Sequence, residues 1–160
     1  MNQLAYWMDQ PREVSIETLT VCNARCTFCP YQTLDRQGTR MADDLLWKLA
    51  RELVAMPRQM HFSPFKVNEP LLDVRTIPLC EFINREAPHI KLRIFTNGTP
   101  LTEERIAEIA RLEHVEHLWI SLNSHDPVEY ETVMQLPMQR TLENLDMLHR
   151  KKAAGEFAHD

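Results

Sequence analysis

VCNARCTFCPYQ, residues 21–32, carries three of the chain's four cysteines, at Cys22, Cys26 and Cys29. Four cysteines scattered at random through 160 residues would give the spacing C-x3-C-x2-C roughly 0.002 times. The spacing therefore asks for a chemical cause. Metal ligation, a structural zinc site and a disulfide all compete. Structural zinc wants four ligands, usually in paired motifs, and Cys80 and His61 could complete such a set only through a coincidence of the fold. A disulfide requires an oxidising compartment.

The surrounding sequence speaks to that compartment. Its first 13 residues, MNQLAYWMDQPRE, hold acids and a proline where a signal peptide needs a long apolar core. No apolar run approaches the ~20 residues of a membrane span. The expectation is a cytoplasmic protein with reduced thiols and no membrane partner. Hydrophobic residues make up 44% of the chain and charged residues 26%, the profile of a globular protein. The length suggests one domain over residues 1–160. Net charge is -5, and the only basic block is His149, Arg150, Lys151 and Lys152, which suits a helix C-terminus. No nucleic-acid partner is expected, because binding a phosphate backbone needs a concentrated positive field.

Outward from the cysteines, strand-like and helix-like segments alternate. Residues 13–20 are rich in β-branched side chains and predict the first strand. Residues 42–56 place Leu45, Leu46, Leu49, Leu53 and Met56 at helical spacing. Residues 59–65 read as a second strand. Residues 73–87 carry Ile77, Leu79, Phe82 and Ile83 on a helix that tolerates Pro78 only in its first turn. Residues 90–96 predict the third strand, closed by an Asn97-Gly98 turn. Thr102 caps the next helix, which runs to about Leu112. Residues 117–122 predict the fourth strand, read as a run buried on both faces. Asp126-Pro127 opens a short helix. A break at Pro137 precedes a helix from about Thr141 to Lys152. Four βα units of this order pair in parallel, and their functional groups gather in the loops after the strands.

Those loops read C-N-A-R-C-T-F-C-P, V-N-E-P, T-N-G-T and S-L-N-S. Three thiolates on one loop can hold three corners of an iron–sulfur cube, whereas a fully protein-ligated four-iron cluster uses four. The fourth iron would then be open to a small molecule. Here the sequence resembles the radical S-adenosylmethionine (radical SAM) enzymes, whose signature is C-x3-C-x-aromatic-C. The resemblance runs from about Glu13 to Lys152. It implies an α/β fold, a partial (β/α) barrel of the radical SAM type. It also implies a 4Fe-4S cluster on Cys22, Cys26 and Cys29, with Phe28 in the aromatic slot near the adenine of SAM. N-E-P-L-L-D is similar to the family's G-G-E-P segment, which puts Glu69 opposite the SAM ammonium and leaves Asn68 where glycine is usual. Asn97, Ser121 and Asn123 fall where polar groups of the family meet SAM.

The activity implied is reductive cleavage of SAM to a 5′-deoxyadenosyl radical that abstracts hydrogen from a substrate. The partners implied are a reductant such as a flavodoxin or ferredoxin, and a small-molecule or peptide substrate. Radical SAM cores usually hold six βα units, and four are legible here. The fifth-strand glycine motif has no candidate. The expectation is therefore an N-terminal core piece, completed by further sequence, a partner or self-association. Two other readings remain: a cluster-binding remnant without catalysis, and a zinc-stabilised interaction module. Cys80 reads as a small core hydrophobe, and Met134, Met138 and Met147 read as helix packing.

Overall fold

The computed structural model describes residues 10–159. Residues 1–9, which hold most of the segment read as unlike a signal peptide, lie outside the described residues, as does residue 160. Four strands, β1 (Glu13–Ser15), β2 (Met60–Ser63), β3 (Ile90–Thr96) and β4 (Val115–Ile120), form one sheet in the order β1-β2-β3-β4. Every pairing is parallel. Helices α1 (Asp43–Val54), α2 (Thr76–Glu86) and α3 (Glu103–Ala110) make the crossovers, and α4 (Pro127–Met134) and α5 (Met138–Ala153) follow β4. Among the described residues no helix is long and apolar enough to cross a membrane.

Helical spacing builds the core. Leu46, Ala50 and Leu53 of α1, Ile77, Cys80 and Ile83 of α2, and Ile106 and Ile109 of α3 are buried together against Ile90, Leu92 and Ile94 of β3. Met147 and Leu148 of α5 join the same core. The helices thus cover one face of a sheet whose strands follow chain order, which is an arc of a (β/α) barrel wall rather than a doubly wound sheet. The helix caps are as the sequence predicts. Thr102 accepts from the Arg105 N–H at 3.3 Å, and Asp126 from the Glu129 N–H at 2.8 Å, with Pro127 at the first helical position. Pro78 sits in the first turn of α2.

The other face carries the alternate residues. Phe95 stacks on Phe65 with ring centroids 5.2 Å apart and lies 6.2 Å from Trp119. Toward the strands' N-terminal ends, Arg93 pairs with Glu13 at 3.1 Å and with Glu116 at 2.5 Å, and His61 lies 3.2 Å from Glu116.

Five expectations need correction. The first strand ends at Ser15, not Thr20. Beyond the Ile16 N–H bond to the Ser63 carbonyl, the chain leaves the sheet, and Thr18 and Thr20 bond instead to the loop that carries Gly38, Thr39 and Met41. Extended propensity was present; the partner strand was not. The second strand stops at Ser63, before Pro64, which has no N–H to donate. The fourth strand runs two residues earlier than predicted, because a bulge at Leu92/Arg93 lets Val115 pair with Leu92 and because β3 ends at Thr96. It is also not buried on both faces: His117 and Trp119 are exposed, and Leu118 and Ile120 half-buried. Finally, α5 starts directly after Pro137, which occupies its N-cap position.

Candidate functional site

The cysteine loop is held from afar. Helix α4 ends where Gln135 turns left-handed (φ 53°), leaving its last carbonyls without helical partners. The loop supplies those partners. The Arg25 N–H donates to the Met134 carbonyl at 3.3 Å, and the Thr27 N–H to that of Val133 at 2.9 Å. Ala24 packs with Tyr130 and Met134, and the Cys29 N–H closes a turn on the Cys26 carbonyl at 3.1 Å. Cys26 Sγ lies 3.5 Å from Met134 Sδ, toward which Asn123 Nδ2 also points at 2.9 Å.

Glu69 ties the other loops together. Its backbone N–H donates to the Val21 carbonyl at 2.8 Å. Its carboxylate accepts from Thr96 Oγ1 at 2.9 Å, the Asn97 N–H at 2.7 Å and the Leu71 N–H at 3.2 Å. Asn97 Nδ2 in turn donates to Asn23 Oδ1 at 2.8 Å, back in the cysteine loop. Ser121 is fixed by its N–H bond to the Thr96 carbonyl at 2.9 Å.

Every residue singled out from the sequence lines one cleft at the C-terminal ends of the strands: Cys22, Cys26 and Cys29; Phe28, Asn68 and Glu69; Asn97, Ser121 and Asn123. Its empty volume is about 550 Å³ including the part open to solvent. Phe28 is 63% exposed at this cleft, so core covering does not explain it. Sequence reasoning missed Phe65, Lys66 and Phe95, and gave Met134 a packing role only; all four line the cleft. A signal was available for Phe95, which alternates with the core positions Ile94 and Thr96.

Burial sets the electrostatics. It pushes the Cys22 thiol up to about 11, against a backbone hydrogen bond from Ala24, and it raises Cys26 with help from neighbouring Cys29. Burial also lifts the Glu69 carboxyl to about 7, although the donors of Asn97, Thr96 and Leu71 pull the other way. Among the described residues no basic side chain pairs with it. Cys80 is elsewhere, fully enclosed in the core, with its thiol pushed up to about 12 by burial.

A few residues beyond Glu69 lies an ionic hub that no local sequence pattern announces. The Arg75 guanidinium bonds Asp73 at 2.7 Å, Asp43 at 2.6 Å and the carbonyls of Thr18 and Met41, both at 2.7 Å. Thr18 Oγ1 closes the set on Asp73 at 2.7 Å. Asp73 is held below its ordinary value: desolvation works against this, and the bonds from Arg75 and Thr18 prevail.

The Radical SAM superfamily profile matches residues 16–154, and the chain belongs to that superfamily. It is 31% identical over 104 residues to the S-adenosyl-L-methionine-dependent 2-deoxy-scyllo-inosamine dehydrogenase of Niallia circulans, a match covering 62% of this chain and 40% of that protein. In fold it resembles native anSMEcpe with bound AdoMet (TM-score 0.74, 17% identity, 94% of this chain and 43% of that one). It also resembles BtrN in complex with AdoMet and 2-DOIA (TM-score 0.65, 21% identity, 78% of this chain and 50% of that one). The chain thus spans half or less of the length of these relatives.

Proposed function

We propose that this chain holds a 4Fe-4S cluster on Cys22, Cys26 and Cys29, binds SAM beside it, and acts as the core of a radical SAM enzyme. The observation that carries the reading is the convergence of nine residues, from the loops after all four strands, on one cleft. The donor set fits the cluster. The three cysteines line the same cleft, and three thiolates leave one iron of a four-iron cluster open to a small molecule. Burial disfavours the Cys22 and Cys26 thiolates, and a coordinating cation reverses that preference. When bound, the cluster would supply the electron that cleaves SAM to the 5′-deoxyadenosyl radical.

The chain's own residues bind and orient. Glu69 is a buried acceptor with no cationic partner among the described residues, suited to the SAM ammonium through a charge-assisted bond. Asn97 and Ser121 are held by backbone bonds at the cleft and offer polar contacts. Asn123, at φ 55°, turns its side chain toward Met134, whose Sδ lies 3.5 Å from Cys26 Sγ. Phe28 gives an exposed ring for the adenine. The substrate is a small molecule or a peptide, and a flavodoxin or ferredoxin is the reductant.

Anaerobic reconstitution with iron and sulfide, then a SAM cleavage assay with a strong reductant, tests the reading. The expected result is a brown protein with about four irons per chain. Cys22→Ala, Cys26→Ala and Cys29→Ala should each remove most of the colour, and Cys80→Ala should not. A colourless protein that holds zinc through these cysteines overturns the cluster; a coloured protein that cleaves no SAM even with further βα units or a partner supplied is a remnant.

A further inference from the structure

The first half of α5 buries polar side chains where a helix on a core ordinarily buries apolar ones. Its buried residues are Met138, Thr141 and Asn144, spaced to share one face. Asparagine is a poor helix former, and burying its amide is unfavourable unless the amide is hydrogen-bonded. Asn144 is 2% exposed, and its Nδ2 donates to the Gly98 carbonyl at 2.9 Å and the Thr99 carbonyl at 2.8 Å. Carbonyls only accept, so the NH2 end of the amide is the one that faces them. A leucine would fill the same space and leave both carbonyls without this donor. One turn earlier, Thr141 Oγ1 shares a hydrogen bond with the Tyr130 hydroxyl at 2.9 Å and lies 3.4 Å from Thr99 Oγ1.

The turn held in this way is the one that holds Glu69. The Asn97 N–H and Thr96 Oγ1 both donate to the Glu69 carboxylate, and Thr96 Oγ1 also accepts from the Gly98 N–H at 3.1 Å. The Asn97 side chain is committed within the loops: Nδ2 donates to Asn23 Oδ1, and Oδ1 accepts from the Thr99 N–H at 3.0 Å. Residues 96–99 thus form one bonded unit, with α5 behind it and Glu69 and the cysteine loop in front. We infer that Asn144 is a positioning residue: by clamping the Gly98 and Thr99 carbonyls it keeps the Asn97 N–H on Glu69, and so aims that carboxylate at the ligand ammonium. Asn144 is not among the residues that line the cleft, so it acts only through the turn. The inference rests on SAM meeting Glu69, and it adds a residue from the last helix, far in sequence from every loop of the site.

The test is a double-mutant cycle on SAM affinity, measured by anaerobic equilibrium dialysis on cluster-loaded protein, with iron content as the check on folding. Asn144→Leu keeps the bulk of the side chain and removes its donor. It should weaken SAM by about fivefold or more in the wild-type background. In the Glu69→Gln background, where the charge it aims is gone, the same change should weaken SAM by less than about twofold. Asn144→Ser keeps a smaller donor and should show an intermediate loss in the same pattern, which carries the comparison if the leucine variant folds poorly. Leu148→Ala loosens α5 without touching the turn, so it should lower the denaturation midpoint and leave SAM affinity unchanged. An equal loss in both backgrounds, an equal loss in Leu148→Ala, or failure of both Asn144 variants to keep iron overturns the role, since each makes Asn144 a packing residue only. Wild type that keeps its cluster and binds no SAM overturns the cofactor reading and this role with it; wild type that binds SAM with an affinity indifferent to Asn144 overturns this role alone.

Discussion

The Glu69 carboxylate accepts from three donors and has no countercharge among the described residues. Its folded value of about 7 lies above the ordinary 4.5, so the native state keeps its proton where the unfolded chain has lost it. The ligand-free protein should therefore lose stability as pH rises from about 4.5 to 7, by on the order of 3 kcal/mol, and no further above that. A ligand ammonium favours the ionised form, so SAM affinity should rise over the same window. Glu69→Gln should flatten both profiles and weaken SAM more than tenfold while sparing the cluster. Denaturant titrations and SAM dialysis at pH 5.5 and 8 check this; a wild-type affinity that falls toward pH 8 refutes it. Gly98 makes a second residue-scale prediction. Its φ is +81°, and a Cβ there would meet Ile120 Cγ2 at 3.1 Å and Thr141 Cγ2 at 3.2 Å. Gly98→Ala should cost about 1–3 kcal/mol, read from the denaturation midpoint, through left-handed strain plus crowding between the sheet and α5. The cysteines, Glu69 and the Asn97-Gly98 turn could be picked out from sequence because their residue types have few other uses at that spacing. Lys66 and Met134 could not, since a surface lysine and a helix methionine look ordinary until the fold aims them.

At the scale of elements, the Arg75 hub joins the segment after β1, the start of α1 and the approach to α2. It fixes the base from which Glu69 projects. Removing one partner of a buried ion pair strands the other, so Arg75→Met should destabilise the protein by about 3–5 kcal/mol. The depressed Asp73 value has the opposite sign to that of Glu69. Its stabilisation is complete above the ordinary carboxylate range and is lost as pH falls through the lowered folded value. Asp73→Asn should blunt the acid-induced loss of stability between pH 5 and 2, measured by urea unfolding. An acid limb identical to that of wild type would exclude Asp73 as its source. Helix positions and caps were legible because they depend on local spacing and on local donors. Strand ends were not. Thr18 and Thr20 have extended propensity, yet their partners are Thr39, Met41 and Asp73, which no local pattern names.

For the whole molecule, β4 pairs only with β3 among the described residues, and Trp119 is 59% exposed beside the Phe65–Phe95 stack. An open strand edge with an aromatic face is a pairing hazard. The 160-residue chain should therefore self-associate as its concentration rises and turn over SAM slowly without added sequence. Trp119→Lys should shift it toward monomer. Light scattering across a concentration series, run beside the cleavage assay, decides this; a wild-type monomer with robust turnover would show that four units suffice.

The anchoring of the cysteine loop on α4 also sets an order of events during synthesis. Cys26 and its contact on Met134 are 108 residues apart in the chain. At ribosomal speeds of about 5–20 residues per second, the three thiols spend on the order of 5–20 s outside the tunnel before the carbonyls that dock them exist. Throughout that interval they are flexible, solvent-facing groups open to any oxidant or stray metal. The site is built from the first strand's loop, yet that loop gains its docking partners only when the fifth helix is about to begin.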